Sequence, residues 1–188
     1  MLELLKDNNF TKPTLVQAES LPITLQEGLR NLCVIIYAYN GAGKTLTYLI
    51  PIFNALENIP ATGSKLMKNQ EHEIGRPQAV IIVPTEALLA QVYDYLVAYS
   101  QFYEDNYNWK LTIGRIYSTF SENGHIIVGL ARKMQEKLKV AGKFDLSELK
   151  WIVFDECDKV KEDTLSEFED MLKTFADPKT NASNANVP

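Results

Sequence analysis

Two short stretches carry residue types that could together hold a magnesium-bound triphosphate. The first is Ala38-Tyr39-Asn40-Gly41-Ala42-Gly43-Lys44-Thr45. Small residues let a backbone wrap closely around phosphate oxygens with its amide N–H groups pointing inward. The Lys44 ammonium would reach the β- and γ-phosphates, and the Thr45 hydroxyl is a magnesium ligand by type. A helix starting near Lys44 would add its positive dipole end. Asn40, Gly41, Ala42, Gly43, Lys44 and Thr45 are therefore the candidate phosphate contacts. A strict phosphate loop has Gly where Ala38 stands, and Ala is the next smallest residue. A Gly-rich turn without a ligand is the plainer alternative, but the Gly-x-Gly-Lys-Thr ending and its flanks favour the site.

The second stretch is Asp155-Glu156, directly after the apolar run Trp151-Ile152-Val153-Phe154. Ligand sites of α/β sheets lie at the carboxyl ends of the strands. An acid there can hold Mg²⁺ through water, and a neighbouring carboxylate can orient or activate the attacking water. Asp-Glu after a strand is common and serves equally well as a helix cap. A phosphate loop upstream in the same expected sheet makes it meaningful. Thr45 and Asp155 are then the candidate metal ligands, with Lys44 and Glu156 the candidate catalytic groups. This chemistry requires the loop and the acidic pair to lie side by side.

Positioning them calls for a sheet. Near-continuous apolar runs at Leu32 to Ala38, Ala79 to Val83, Leu111 to Tyr117, His125 to Val128 and Trp151 to Phe154 read as strands buried on both faces. Helical patterns lie between them: Leu15 to Glu27, Thr45 to Leu56, Glu86 to Phe102, Lys133 to Val140 and Leu165 to Phe175. The alternation predicts an α/β fold, a mostly parallel sheet with helices on both faces and right-handed crossovers. Asn58 to Pro77 is polar, with Gly and Pro near both ends, and reads as a long mobile loop. Asp177 to Pro188 reads as a loop or the start of a linker.

These motifs, in this order, resemble the DEAD-box family of RNA helicases. AYNGAGKT looks like the helicase form of the phosphate loop. DECD at Asp155 to Asp158 looks like a Cys-containing variant of the box itself. Asn9-Phe10-Thr11-Lys12-Pro13-Thr14-Leu15-Val16-Gln17 is similar to the family's Q motif, which selects adenine. The resemblance implies a RecA-like domain over residues 1–176, with ATP and Mg²⁺ as cofactors. It places Phe10 on the base, Gln17 on the adenine edge and Lys12 within the same element, and it has Asp158 couple the site to neighbouring motifs. Taken singly, Phe10 and Gln17 read as ordinary packing and helix surface. DECD resembles the mRNA splicing and export branch, and the approach Gly28-Leu29-Arg30-Asn31 and WIVFDECDK resemble an export-type helicase.

The motifs that would touch RNA are less well kept. Pro84-Thr85-Glu86-Ala87-Leu88-Leu89-Ala90-Gln91 resembles PTRELAxQ, with Glu86 in place of Arg and Ala87 in place of Glu. A carboxylate beside a phosphate path should weaken RNA binding. Val128-Gly129-Leu130-Ala131-Arg132-Lys133 aligns with the segment ending in TPGR. Leu130 there removes a hydroxyl, and Lys133 keeps charge without the planar guanidinium fork. The family's Gly-Gly element is not visible. Pro84, Thr85, Gly129 and Lys133 are the residues carried over as weak contacts to the backbone of single-stranded RNA.

The family has two RecA-like domains, with ATP and RNA bound in the cleft between them. The present chain ends about thirty residues after Asp155, before the expected Ser-Ala-Thr motif. The second domain, with its arginine finger, is expected to be a partner lying outside these residues. The function implied is ATP hydrolysis coupled to RNA binding and remodelling. A degenerate helicase half acting as a nucleotide- or protein-binding module is the rival from another class, motivated by Glu86, Ala87 and Leu130. Retention of Lys44, Thr45, Asp155 and Glu156 speaks against it. A DNA helicase or translocase half is the other rival, and the Q-motif likeness disfavours it.

Bulk properties bound the rest. The 188 residues fit one domain, with 46% hydrophobic residues to supply a core. A net charge of −5 argues against a free-standing nucleic-acid binder, since phosphate contacts come from Lys and Arg. The acid-rich stretch from Asp155 to Asp170 is mostly a solvated helix face. Two cysteines, Cys33 and Cys157, form no CxxC pair or disulfide framework. With no membrane-spanning run and no secretory leader, an intracellular location, nucleus or cytoplasm, is expected.

Overall fold

The computed structural model describes residues 5–6, 10–26, 33–57, 77–107, 111–117, 124–138, 146, 148–159, 166, 169–171 and 173. The chain divides into two compact units, Met1–Ser64 and Lys65–Pro188. Among the described residues no helix is long and apolar enough to cross a membrane.

In the first unit helices α1 (Leu15–Thr24) and α2 (Lys44–Glu57) pack on each other. Helix α1 starts where Thr14 and Gln17 close a reciprocal capping box that satisfies two backbone donors. Pro22 and Pro51 lie inside the two helices. Helix α2 buries Leu49, Ile52, Phe53 and Leu56, an apolar stripe at helical spacing.

The second unit is a four-stranded sheet of β1 (Ala79–Val83), β2 (Ile113–Ile116), β3 (Ile126–Leu130) and β4 (Trp151–Phe154). All pairings are parallel, in the order β2-β3-β1-β4. The long helix α3 (Glu86–Tyr107) follows β1, and α4 (Ala131–Leu138) follows β3. The register places Val80, Ile127 and Ile152 in one row and Ile82, Phe154 and Ile116 in the next. These side chains form one core face with Met134 of α4, Leu146 and Met171. The opposite face carries Ile81, Val128 and Arg115 in register. Helix α3 covers that face, shown by Tyr93 stacking under Arg115. A sheet dressed on both faces explains why AVIIV is buried without alternation. At its entry, the backbone N–H of Thr112 donates to His125 Nδ1 at 3.1 Å and ties the starts of β2 and β3 together.

Four of the five predicted strands therefore form, within two residues of their expected ends. The fifth does not. Residues 33–39 hold no regular strand, and Ile35 and Tyr37 are 89% and 99% exposed. The run has strand composition, but composition fixes only a preference. A strand exists when a neighbour takes its N–H and C=O groups, and no described strand pairs with this segment. The predicted loop at 58–77, apart from Pro77, and the tail at 177–188 lie outside the described residues. The predicted helix at 165–175 is described only at 166, 169–171 and 173, all helical.

Candidate nucleotide site and strand-end residues

In the first unit, the glycine loop leads directly into α2, whose first residue is Lys44. Gly41 and Gly43 take φ of +82° and +91°, a region that L side chains avoid at a cost of about 1–2 kcal/mol. Gly43 has a second reason to be glycine. A Cβ there would stand 2.5 Å from Gln17 Nε2 and 3.1 Å from Thr14 Oγ1. The turn is closed by the Ala42 N–H donating to the Tyr39 carbonyl at 3.3 Å. Lys44 Nζ donates to the Ala38 carbonyl at 2.7 Å, so its ammonium folds back over the loop. That acceptor is neutral and is readily exchanged for a phosphate oxygen, because charge-assisted hydrogen bonds are about twice as strong. Thr45 is half-buried in the first turn of α2, and the next threonine, Thr47, donates its hydroxyl to the Lys44 carbonyl.

Gln17 is buried and links the two helix starts. Its Oε1 accepts from the Thr14 N–H at 3.0 Å, and its Nε2 donates to the Gly43 carbonyl at 3.0 Å. Both ends of the amide are thus engaged within the protein. Meeting an adenine edge would mean exchanging one of these bonds for one to the base. Phe10 exposes much of its ring, while its N–H donates to the Leu5 carbonyl at 2.8 Å; Lys12 is exposed.

In the second unit, β4 delivers the acidic pair. The Asp155 N–H donates to the Ile82 carbonyl at 2.9 Å, which extends the β1–β4 ladder by one step and fixes a buried Asp155 at the strand end. Glu156 then turns the chain with φ of +49°. This is a rare conformation for a residue with a side chain, of the kind concentrated at functional sites. A single 3₁₀ turn, Cys157–Lys159, follows, and Lys159 Nζ lies 2.6 Å from Glu156 Oε2. The hydrogen bond to Glu156 holds the Lys159 ammonium above the ordinary lysine range. Cys157 and Asp158 are exposed.

The residues carried over as RNA contacts cluster at the same carboxyl edge of the sheet. Pro84 and Thr85 follow β1, Gly129 lies near the end of β3, and Lys133 is in the first turn of α4. Thr85 Oγ1 accepts from the Leu88 N–H at 3.3 Å and so caps α3. Lys133 Nζ lies 2.8 Å from Glu136 Oε2, and Arg132 lies 3.6 Å from the other oxygen of the same carboxylate. That pairing holds the Glu136 carboxyl below its ordinary range. Glu86 accepts a hydrogen bond from Tyr117 at the end of β2, which raises that phenol above its usual value. Arg115 stacks 4.9 Å from the Tyr93 ring centroid.

The candidate residues thus divide between the units. Phe10, Lys12, Gln17 and the loop from Asn40 to Thr45 belong to the first; Pro84, Thr85, Gly129, Lys133, Asp155 and Glu156 belong to the second. Among the described residues no cluster of three or more His, Cys, Asp or Glu could hold a metal alone. Reading by motif passed over Thr14, Lys159 and Tyr117. Thr14 was legible as the start of Thr-x-x-Gln, a capping-box spacing. Lys159 was legible only as a charge three residues after Glu156. Nothing local marked Tyr117, whose partner is 31 positions earlier in the chain.

A family profile described as "DEAD/DEAH box helicase" matches residues 14–185. The chain is 34% identical over 176 residues to the ATP-dependent RNA helicase DBP9 of Yarrowia lipolytica, covering 88% of this chain and 29% of that protein. It is 31% identical over 160 residues to the ATP-dependent RNA helicase DBP7 of Scheffersomyces stipitis, covering 81% and 20%. The chain therefore spans under a third of these curated relatives. Among solved structures, the yeast DEAD-box splicing factor Prp28 superposes with a TM-score of 0.77 at 20% identity, over 95% of this chain and 39% of that one. Saccharomyces cerevisiae Dbp5 bound to RNA and ADP BeF3 gives 0.69 at 20% identity, over 92% and 40%. At that identity the likeness establishes the fold, a RecA-like α/β domain.

Proposed function

The chain belongs to the DEAD/DEAH box helicase family, and from that premise we propose that it is the ATP-binding part of an ATP-dependent RNA helicase. In this reading residues 1–176 form the nucleotide-binding RecA-like domain, and 177–188 begin a linker toward a second such domain. The whole protein couples ATP hydrolysis to binding and remodelling of single-stranded RNA. The observation that carries the reading is the loop at Gly41 to Lys44. Two left-handed glycines open directly onto a helix whose first residue is a lysine that donates to a neutral carbonyl. That combination fits a triphosphate: backbone donors, a helix N-terminus and an exchangeable cation.

Each residue then has a role. Phe10 stacks on the base, and Gln17 bonds its edge, with Lys12 beside them. Asn40 to Thr45 wrap the phosphates, and Lys44 neutralises the charge that develops on the γ-phosphoryl group. Thr45 and Asp155 supply ligands to Mg²⁺, a hard cation suited to a hydroxyl and a carboxylate. Its chemistry when bound is to screen phosphate charge. Glu156 orients the attacking water and accepts its proton. Pro84, Thr85, Gly129 and Lys133 meet the RNA backbone.

The 188 residues by themselves should turn over ATP slowly. An arginine finger is worth roughly 10³–10⁵ in rate, and in this reading it comes from the second domain. The test is Glu156→Gln. In the full-length protein ATP binding should persist within about twofold of the unaltered protein, while single-turnover hydrolysis falls by roughly 10²–10⁴. Unchanged hydrolysis would remove Glu156 from the chemistry. Absence of ATP binding by the unaltered protein would reject the whole reading.

A further inference from the structure

We propose that Lys159 is a positioning residue for Glu156, fixing one oxygen of its carboxylate so that the other is presented to the attacking water. The inference rests on the role just given to Glu156, and it adds a residue that the family motifs do not assign.

Three features of the backbone create the contact. The Asp155 N–H is tied to the Ile82 carbonyl, so the chain leaves the sheet at a fixed point. Glu156 adopts φ of +49°, which reverses the chain immediately. The 3₁₀ turn Cys157–Lys159 then forms, closed by the Lys159 N–H donating to the Glu156 carbonyl at 2.9 Å. With three residues per turn, side chains at positions i and i+3 of such a turn eclipse. Lys159 is therefore brought over Glu156 by the backbone rather than by a free search of its long side chain. The result is the 2.6 Å contact between Nζ and Oε2. The Glu156 side chain is only 18% exposed, against 47% for Lys159. The carboxylate is thus the sheltered partner, and the lysine reaches in from solvent.

A glutamate has three rotatable bonds, and one that serves as a base must hold a single orientation. The charge-assisted bond restrains Oε2. Among the described residues no cation pairs with Oε1, which remains the oxygen able to accept from water. Misplacing a catalytic group by about 1 Å can cost 10²-fold in rate. Loss of a partly exposed anchor should cost less.

The experiment compares the unaltered 188-residue chain with Lys159→Ala and Lys159→Arg. Single-turnover hydrolysis is read with enzyme in excess over ATP and Mg²⁺, alongside the affinity for a fluorescent ATP analogue. Lys159→Ala should slow hydrolysis by roughly tenfold while leaving affinity within about twofold. Lys159→Arg, which keeps the charge and the reach, should restore the rate to within about threefold. An unchanged or faster rate in Lys159→Ala overturns the proposal, as does an arginine variant as slow as the alanine one. A parallel fall in rate and affinity also overturns it, since a positioning residue acts on the chemical step alone. If the unaltered chain fails to bind ATP, the functional reading fails instead. The two failures are thereby told apart.

Discussion

The glycine loop and the sheet edge at Pro84–Glu86 and Lys133 both hold cations proposed to meet phosphate, but they hold them differently. Lys44 is parked on a neutral carbonyl. Lys133 and Arg132 converge on one carboxylate, Glu136, and Glu86 puts a further negative charge where the family has a positive one. A carbonyl gives way to a triphosphate with little competition, whereas a carboxylate competes as a full charge. The contrast teaches that cation count is a poor guide to phosphate binding. What matters is the acceptor each cation must leave.

The largest effect that would sharpen this contrast comes from removing one lysine on each side. Lys44→Ala should weaken ATP binding by roughly 10–100-fold, the worth of a hydrogen bond to a charged group, read by isothermal calorimetry. Lys133→Ala should change RNA affinity by less than about threefold at physiological salt, since Glu136 already offsets the charge of Lys133. Equal losses on the two sides would break the comparison. Next in size is Gly43→Ala, which forces a side chain into a left-handed position and against Gln17. Such strain is worth about 1–3 kcal/mol, so ATP affinity should fall by roughly tenfold and the melting temperature with it. An unchanged isotherm would mean the loop conformation is not the one that binds. Smallest is Glu86→Arg, which should raise RNA affinity a few-fold and steepen its salt dependence by about one phosphate contact. A flat salt response would remove this edge from the RNA path.

Much of the second unit was legible in the sequence because its strands are buried on both faces. Ala79–Val83 and Trp151–Phe154 begin and end where the apolar runs do. Helix α3 ran five residues past its expected end, through Tyr107, because burial of Tyr99 and Tyr103 continues the apolar stripe beyond the residues that looked periodic. Of the run from Leu32 to Ala38, the described residues 33–38 form no strand, for the opposite reason. Its side chains suit a sheet, but pairing is a property of the neighbour and is invisible in the segment itself. At the candidate site, the glycines and Lys44 were legible because positive φ and phosphate contact leave few residue choices. The engagement of Gln17 by the Gly43 carbonyl was not, since it spans 26 positions and depends on how α1 meets α2. The Lys159 contact was hidden for a subtler reason. It needs a left-handed Glu156, which no preference of glutamate would suggest.

In the proposed function Thr45 and Asp155 serve one magnesium ion on one ATP. A double-mutant cycle on Thr45→Ala and Asp155→Asn, reading Mg²⁺-dependent ATP affinity, tests it directly. If the two residues share the ion, either change alone should remove most of the magnesium dependence, and the double variant should be little worse than the single ones. Losses that add within about 0.5 kcal/mol would show two independent sites and contradict the claim.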